Sequence, residues 1–246
     1  MVLFTHPLED PMRIITIYVA QGLVAAWFFY LAYKILKRDR KRLNVIFSGF
    51  YLSAAIGLVF NFIYGPIAHE GVILVLSYLT YFGVFYSPIF LVVFDLILLK
   101  SEKVITPIKQ YLLLIGFGIF MFCMIFFITT PEWGVRLNED TEWKPIWYLP
   151  FFLYLVIGEA IFVLIPIFYL SFRIYNKFED EQLKQKWKFF IYGISALIVF
   201  MYGIMISNFL ASLEINIRTV MGIIAIISGI IGGYLMYNGV GRQLEK

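Results

Sequence analysis

The chain has 246 residues, of which 61% are apolar, 20% aromatic and only 15% charged. Soluble domains carry about 25% charged residues, so a soluble fold is excluded, and the longest polar stretches, residues 131–145 and 176–188, are too short to build a core of their own. The net charge of +4 is spread in the pattern of a membrane topology and gives no reason to expect a nucleic-acid partner.

About 20 mostly apolar residues cross a bilayer as a helix. Seven segments meet that length, at residues 14–33, 43–64, 72–99, 111–129, 147–172, 189–210 and 220–237. The sequence therefore predicts an all-α, multi-pass protein of the cell membrane, a single seven-helix bundle over residues 1–246. The N-terminal stretch holds Glu9 and Asp10 and no basic region, so the first apolar segment reads as a span and not as a cleaved signal peptide. The third and fifth segments are longer than needed, which predicts tilt or extension past the bilayer. Each holds one proline, Pro88 and Pro166, where a kink is expected.

Residues 178–188 are mixed in charge and predict a helical extension of the sixth span, with Glu181 four before Gln185 and Asp180 four before Lys184. In the last span Gly229 and Gly233 have GxxxG spacing, read as close packing within the bundle rather than as a dimer face. The lone Cys123 rules out an intramolecular disulfide and reads as a small apolar filler.

Lys and Arg counts set the orientation. The first connection carries Lys34, Lys37, Arg38, Arg40, Lys41 and Arg42, and the third carries Lys100, Lys103 and Lys109. The fifth carries Arg173, Lys177, Lys184, Lys186 and Lys188, and the tail Arg242 and Lys246. Only Arg13, Arg136, Lys144 and Arg218 fall on the other side, so the N-terminus is predicted outside and the C-terminus in the cytoplasm. Trp133, Trp143 and Trp147 cluster where the outer interface then falls.

Spans one and five end on nearly the same words, Phe29-Tyr-Leu-Ala-Tyr-Lys-Ile35 and Phe168-Tyr-Leu-Ser-Phe-Arg-Ile174. The spans that follow open on Phe47-Ser-Gly-Phe-Tyr-Leu-Ser53 and Phe190-Ile-Tyr-Gly-Ile-Ser195. The echo reads either as a 3+1+3 parallel repeat, with span four as linker, or as chance similarity between apolar stretches.

In its topology, in the Trp143-Lys-Pro-Ile-Trp147 stretch before span five and in its Gly-rich last span, the chain resembles the seven-helix sensor region of archaeal and bacterial membrane histidine kinases. Microbial rhodopsins and SWEET-type sugar transporters share the topology only. The resemblance implies a sensor without the kinase, because the chain ends at Lys246 with no phosphoacceptor or ATP-binding domain. Retinal is excluded as a cofactor, since residues 220–237 contain no lysine for a Schiff base. The sugar transporters' Pro-Gln signature is absent, and span one has no proline to match Pro166.

Two acids sit within the apolar runs, Glu159 and Asp95. A carboxylate at bilayer depth costs about 3 kcal/mol even on the permissive insertion scale, so it needs a partner or a task. Helical spacing places Tyr148, Leu155, Phe162, Pro166 and Tyr169 on a stripe with Glu159, ending on Arg173. Ser53, Gly57, Asn61 and Tyr64 form a second stripe, and Ser77, Tyr81, Val84, Pro88 and Asp95 a third. Span six adds Ser195, Tyr202 and Asn208, and span one adds Gln21.

Two readings are open. In one, Glu159, Tyr148, Asn61, Tyr81, Tyr202 and Gln21 line a ligand or ion cavity anchored by the acid. In the other they are interhelical hydrogen bonds that fix packing. Burial favours a protonated carboxyl at Glu159 unless a cation or several donors stabilise the charge. Asp95 reads as structural, reaching interfacial water or forming an ion pair with Arg173 or Lys100.

His6 and His69 read as surface residues, and no metal, haem or Ser–His constellation is present in the sequence, so neither an enzyme nor a bound cofactor is expected. The functional expectation is a membrane sensor or receptor-like module with a small-molecule or ion site at Glu159 and a cytoplasmic signalling protein as partner. A small-solute transporter with Glu159 in its pathway and a structural subunit of a membrane complex are the alternatives.

Overall fold

The computed structural model describes residues 11–128, 130, 132–211 and 215–241. His6, Glu9, Asp10, Thr129, Arg242, Lys246 and the side chain of Arg218 lie outside the described residues. Seven helices among the described residues are long and apolar enough to cross a membrane. They are α1 (Ile15–Arg38), α2 (Arg42–Tyr64), α3 (Glu70–Lys100), α4 (Pro107–Phe127), α5 (Leu149–Tyr175), α6 (Glu181–Leu210) and α7 (Val220–Gly241). Without water to bond to, an apolar stretch of this length satisfies its backbone only within itself, and each predicted span has become a helix for that reason. The chain is a multi-pass membrane protein.

The helix ends depart from the apolar runs in instructive ways. α6 starts at Glu181, so the charged segment before span six is helical as expected. Asp180 does not pair with Lys184, however. It caps the helix, its Oδ1 accepting from Gln182 N at 2.7 Å and Leu183 N at 3.2 Å, and Lys184 bridges instead to Glu181 at 2.9 Å. A short acid just before a helix satisfies backbone donors that nothing else can reach. Between α1 and α2, Lys41 bridges to Asp39 at 2.9 Å and, chiefly through that side-chain bond, holds the Asp39 carboxyl below the usual carboxylate range.

Span five does not begin at Trp147. Residues Val135–Arg136 (β1) pair antiparallel with Ile146–Trp147 (β2), Val135 opposite Trp147, and the helix starts only at Leu149. The hairpin folds back over the bundle through two left-handed residues, Glu142 (φ 50°) and Trp143 (φ 56°). The three tryptophans of this region differ in exposure. Trp133 is exposed, but Trp143 and Trp147 are buried, and Trp147 stacks edge-on against Tyr81 (5.0 Å) and Phe151 (4.9 Å).

Both prolines mark irregularities. α3 breaks at Ser87–Pro88, between helical pieces Glu70–Tyr86 and Ile89–Lys100. In α5 the irregularity precedes Pro166, where Ala160–Leu164 forms a π-helical segment in which Ile165 N bonds back to Ala160 O. A proline removes one helical donor, and widening the turn before it is one way to accommodate that loss.

Glycines set the closest helix crossings. A Cβ on Gly57 would lie 2.8 Å from Val84 N, and one on Gly83 2.6 Å from Gly57 Cα, so α2 and α3 touch backbone to backbone. α6 and α7, the most extensively packed pair, meet through Gly193 and Gly232. Gly229 faces the Phe200 ring and Gly233 faces Phe28 of α1, so the GxxxG face of the last span packs inside the bundle. At the centre Phe47 (α2), Phe94 (α3) and Phe190 (α6) form a triangle of rings with centroids 5.0–6.2 Å apart.

The sequence echo has a counterpart in burial. Phe28, Leu31, Ala32 and Ile35 of α1 are buried, and so are Ile167, Leu170, Ser171 and Ile174 at the matching places of α5. From the matched pair Phe47 and Phe190, Tyr51, Ala54 and Leu58 correspond to Ile194, Leu197 and Met201, all buried.

Candidate functional site

Glu159 ends the first helical piece of α5, at the edge of the π-helical segment, and is 1% exposed. Neither of its carboxyl oxygens has a hydrogen-bond partner. Glu159 is among the residues around a small, almost wholly apolar cavity of ≈ 20 Å³ that touches four helices. α2 contributes Phe50, α3 contributes Pro88 and Leu91, and α6 contributes Ile194 and Tyr202. The irregular points of α3 and α5 thus meet at one place. Tyr202 carries the one other hydroxyl in this lining, and it donates to Val156 O at 3.3 Å.

The π-helical segment also explains which residues share the face of Glu159. A regular helix puts Phe162, Pro166 and Tyr169 on one stripe with it. The structure buries Leu155 as expected, but beyond Glu159 it buries Val163 and Ile167 and leaves Phe162 47% and Tyr169 59% exposed. A wide turn slips the phase by part of a residue, so inward positions recur at steps of four through this region. Phe162 turns towards α4, packing on Phe120 at 5.1 Å.

The other expected site residues divide into separate groups. Gln21 and Asn61 bond to each other, Asn61 Nδ2 donating to Gln21 Oε1, and join α1 to α2. Tyr81 is buried against Trp147 and Phe151 beneath the hairpin. Tyr148 stands at the N-cap of α5, far along the helix from Glu159. Of the six, only Glu159 and Tyr202 line the cavity. A stripe tells which residues face inward, but not how deep each one lies relative to neighbouring helices.

Asp95 is 0% exposed and does not form the expected ion pair. Ser171 Oγ donates to its Oδ2, and the carbonyl of Ser171 accepts from Trp187 Nε1 at 2.9 Å, a chain linking α3, α5 and α6. Arg173 donates to Tyr169 Oη at 3.0 Å and lies over that ring. Two residues along a helix are about 200° apart, so the rotation that aims Ser171 at Asp95 aims Arg173 outwards. Lys100 lies at the exposed end of α3.

Two features escaped the sequence reading. Arg13 is 7% exposed and donates to Glu142 O (3.1 Å) and Gly65 O (3.2 Å), tying the start of the chain to two loops. Beside the hairpin an open polar hollow of ≈ 410 Å³ is lined by Glu70, Asn138, Glu139, Asp140 and Trp143. Neither has a local signature, because each is assembled from residues distant in sequence. Among the described residues no group of three or more His, Cys, Asp and Glu side chains could hold a metal ion. No known family matches this chain, and no curated protein or solved structure is significantly similar to it.

Proposed function

We propose that this chain is a membrane sensor or receptor-like module whose input site is the Glu159 cavity and whose output passes to a cytoplasmic signalling protein. The observation that carries the reading is the fully buried carboxyl, with both oxygens unpartnered, beside a cavity where two irregular helices meet two others. An ionisable group at membrane depth without a structural partner is a functional candidate by default. A change of charge or occupancy there bears on the break at Pro88 and on the π-helical segment, places where a helix can shift at little cost. The proposed orientation has the hairpin outside and the Lys34–Arg42 end in the cytoplasm, on the basic-residue asymmetry.

Two measurements test this. With Cys123 replaced by Ser, single cysteines at Glu139 should be labelled from outside, and those at Asp39 and Glu181 only after permeabilisation. Reversed labelling sinks the orientation. Glu159→Gln keeps shape and hydrogen-bonding capacity while removing titration. The wild-type protein should show a pH-dependent change in amide hydrogen exchange in α5 and α6, and the Gln variant should lose it while melting close to the parent. A Gln variant that keeps the response ends the sensor reading.

A small-solute transporter is the second reading, favoured by the matched burial of α1 with α5 and α2 with α6. We propose that this matching reflects a 3+1+3 parallel repeat, an arrangement used by transporters with a site between the two halves. Against transport, the ≈ 20 Å³ cavity holds no organic solute. Proton-coupled flux in proteoliposomes that depends on Glu159 would decide for the transporter.

A further inference from the structure

At one end of the bundle, the edge shared by α1 and α7 carries cations that no acid neutralises. Residues 15–38 of α1 and 220–241 of α7 contain no Asp or Glu. Lys41 and Lys184 at the same end bridge to Asp39 and Glu181, whereas no carboxylate among the described residues pairs with Lys34 or Lys37. We propose that this edge binds an anionic phospholipid, with Lys34 and Lys37 on its headgroup phosphate and Trp27 and Tyr30 against its acyl chains.

Lys34 Nζ is held between two rings, 5.1 Å from the centroid of Tyr30 and 5.6 Å from that of Tyr237. Arg38 fixes the second ring. It lies over Tyr237 at 5.2 Å, donates to the Tyr237 hydroxyl and donates to Gly241 O at 3.0 Å, so the end of α7 is fastened to α1. Lys37 lies over Tyr33 at 5.6 Å. A ring face attracts an ammonium through its quadrupole, and the three N–H donors still turn to an anion. Lys37 follows Lys34 by three residues, about 4.5 Å along the helix and about 60° around it, a spacing that two long side chains close on one phosphate.

The rest of the edge is apolar and open. Trp27 stacks on Tyr30 with centroids 5.6 Å apart, further into α1 from the lysines. Across from it on α7, Gly233 packs against Phe28 and Trp27, and one residue on, about 100° round the helix, Tyr234 is exposed. Leu23 and Tyr30 of α1 and Ile231 of α7 are exposed as well. All of these lie in membrane-spanning helices, where hydrocarbon takes the place of water. An acidic soluble protein reaches the lysines but not the rings, and a zwitterionic lipid covers the rings but brings the lysines no net charge. A molecule with an anionic head and hydrocarbon tails satisfies both. Anionic lipid should be enriched about fivefold for each lysine engaged. The lipid site depends neither on Glu159 nor on which end of the bundle is cytoplasmic, since it requires only a membrane surface at this end of α1.

Tryptophan fluorescence of the full chain in phosphatidylcholine vesicles tests this. A minor, equal share of the lipid is replaced either by acyl-brominated phosphatidylglycerol or by acyl-brominated phosphatidylcholine. Bromine quenches tryptophan on contact, and Trp27 stands about 10 Å of helix rise from Lys34. Trp133, Trp143 and Trp147 belong to the hairpin region at the other end of α1, and Trp187 is buried. The anionic lipid should quench more than the zwitterionic one. That excess should vanish in Trp27→Phe, fall severalfold in Lys34→Gln/Lys37→Gln and persist in Lys103→Gln, which changes an exposed lysine of another loop. The vesicles hold brominated lipid in both leaflets, so orientation does not affect the result. Equal quenching of the parent by the two lipids overturns the proposal without any variant having to fold. So does an excess that survives the double substitution in a folded protein, one unchanged in Trp27→Phe, or one that Lys103→Gln removes as fully. An excess that disappears when inorganic phosphate replaces chloride at equal ionic strength assigns the lysines to a free anion and overturns it too.

Discussion

Gly193→Leu and Gly232→Leu are expected to prevent the bundle from assembling in a form that survives detergent extraction. A Cβ at Gly193 would lie 2.7 Å from Met236 N and 2.9 Å from Gly232 O, and one at Gly232 would lie 2.8 Å from Gly193 O. These neighbours are backbone and cannot turn aside, so α6 and α7 must separate along the largest helix contact in the molecule. Ordinary overpacking costs about 1–3 kcal/mol, and moving two helices apart forfeits their remaining contacts as well. Gly229→Leu is the internal control. Its new side chain meets the Phe200 ring at 3.0 Å, a flexible neighbour that can rotate, so the loss should be smaller. Thermal unfolding in detergent reads the order directly. Equal melting of Gly193→Leu, Gly232→Leu and the parent would mean that the α6–α7 crossing is placed wrongly.

The spans were legible because a helix is the one local answer to a long apolar run in hydrocarbon. What the sequence could not reveal is rotation and depth. Phe162 and Tyr169 obey the regular helical period with Glu159, yet face away from it, because the π-helical segment Ala160–Leu164 changes the phase and has no sequence signal except the later Pro166. The hairpin was hidden for a different reason. Strands of two residues are too short to show alternation, so Trp147 read as the start of a helix, whereas it ends the second strand of the hairpin and is 1% exposed. Glu159 itself was legible as an anomaly of composition. Tyr202 was named with it from helical spacing and is the one expected companion that lies beside it, whereas Asp95 lost its expected partner Arg173 to a rotation of two residues that placed Ser171 there instead.

The contrast between the two buried acids gives the second large effect. Glu159→Leu should make the protein more stable than the parent, and Asp95→Leu should make it less so. Glu159 has no partner on either oxygen, and the side chains around it are almost all apolar. A buried polar group without a hydrogen bond costs about 1–3 kcal/mol by protein mutational measures, and a leucine of similar volume removes that cost without leaving an orphan. Asp95 also has one unpartnered oxygen, Oδ1, but its Oδ2 accepts from Ser171 Oγ. Its loss strands that hydroxyl in a site 0% exposed, where an unmade hydrogen bond costs about as much as the gain expected at Glu159. Melting temperatures of both variants in the same detergent, rising for one and falling for the other, separate an acid kept for its function from an acid kept for its packing. If Glu159→Leu melts below the parent as Asp95→Leu does, Glu159 is holding helices together, and the proposal that it is retained against stability for the sake of an input loses its physical basis.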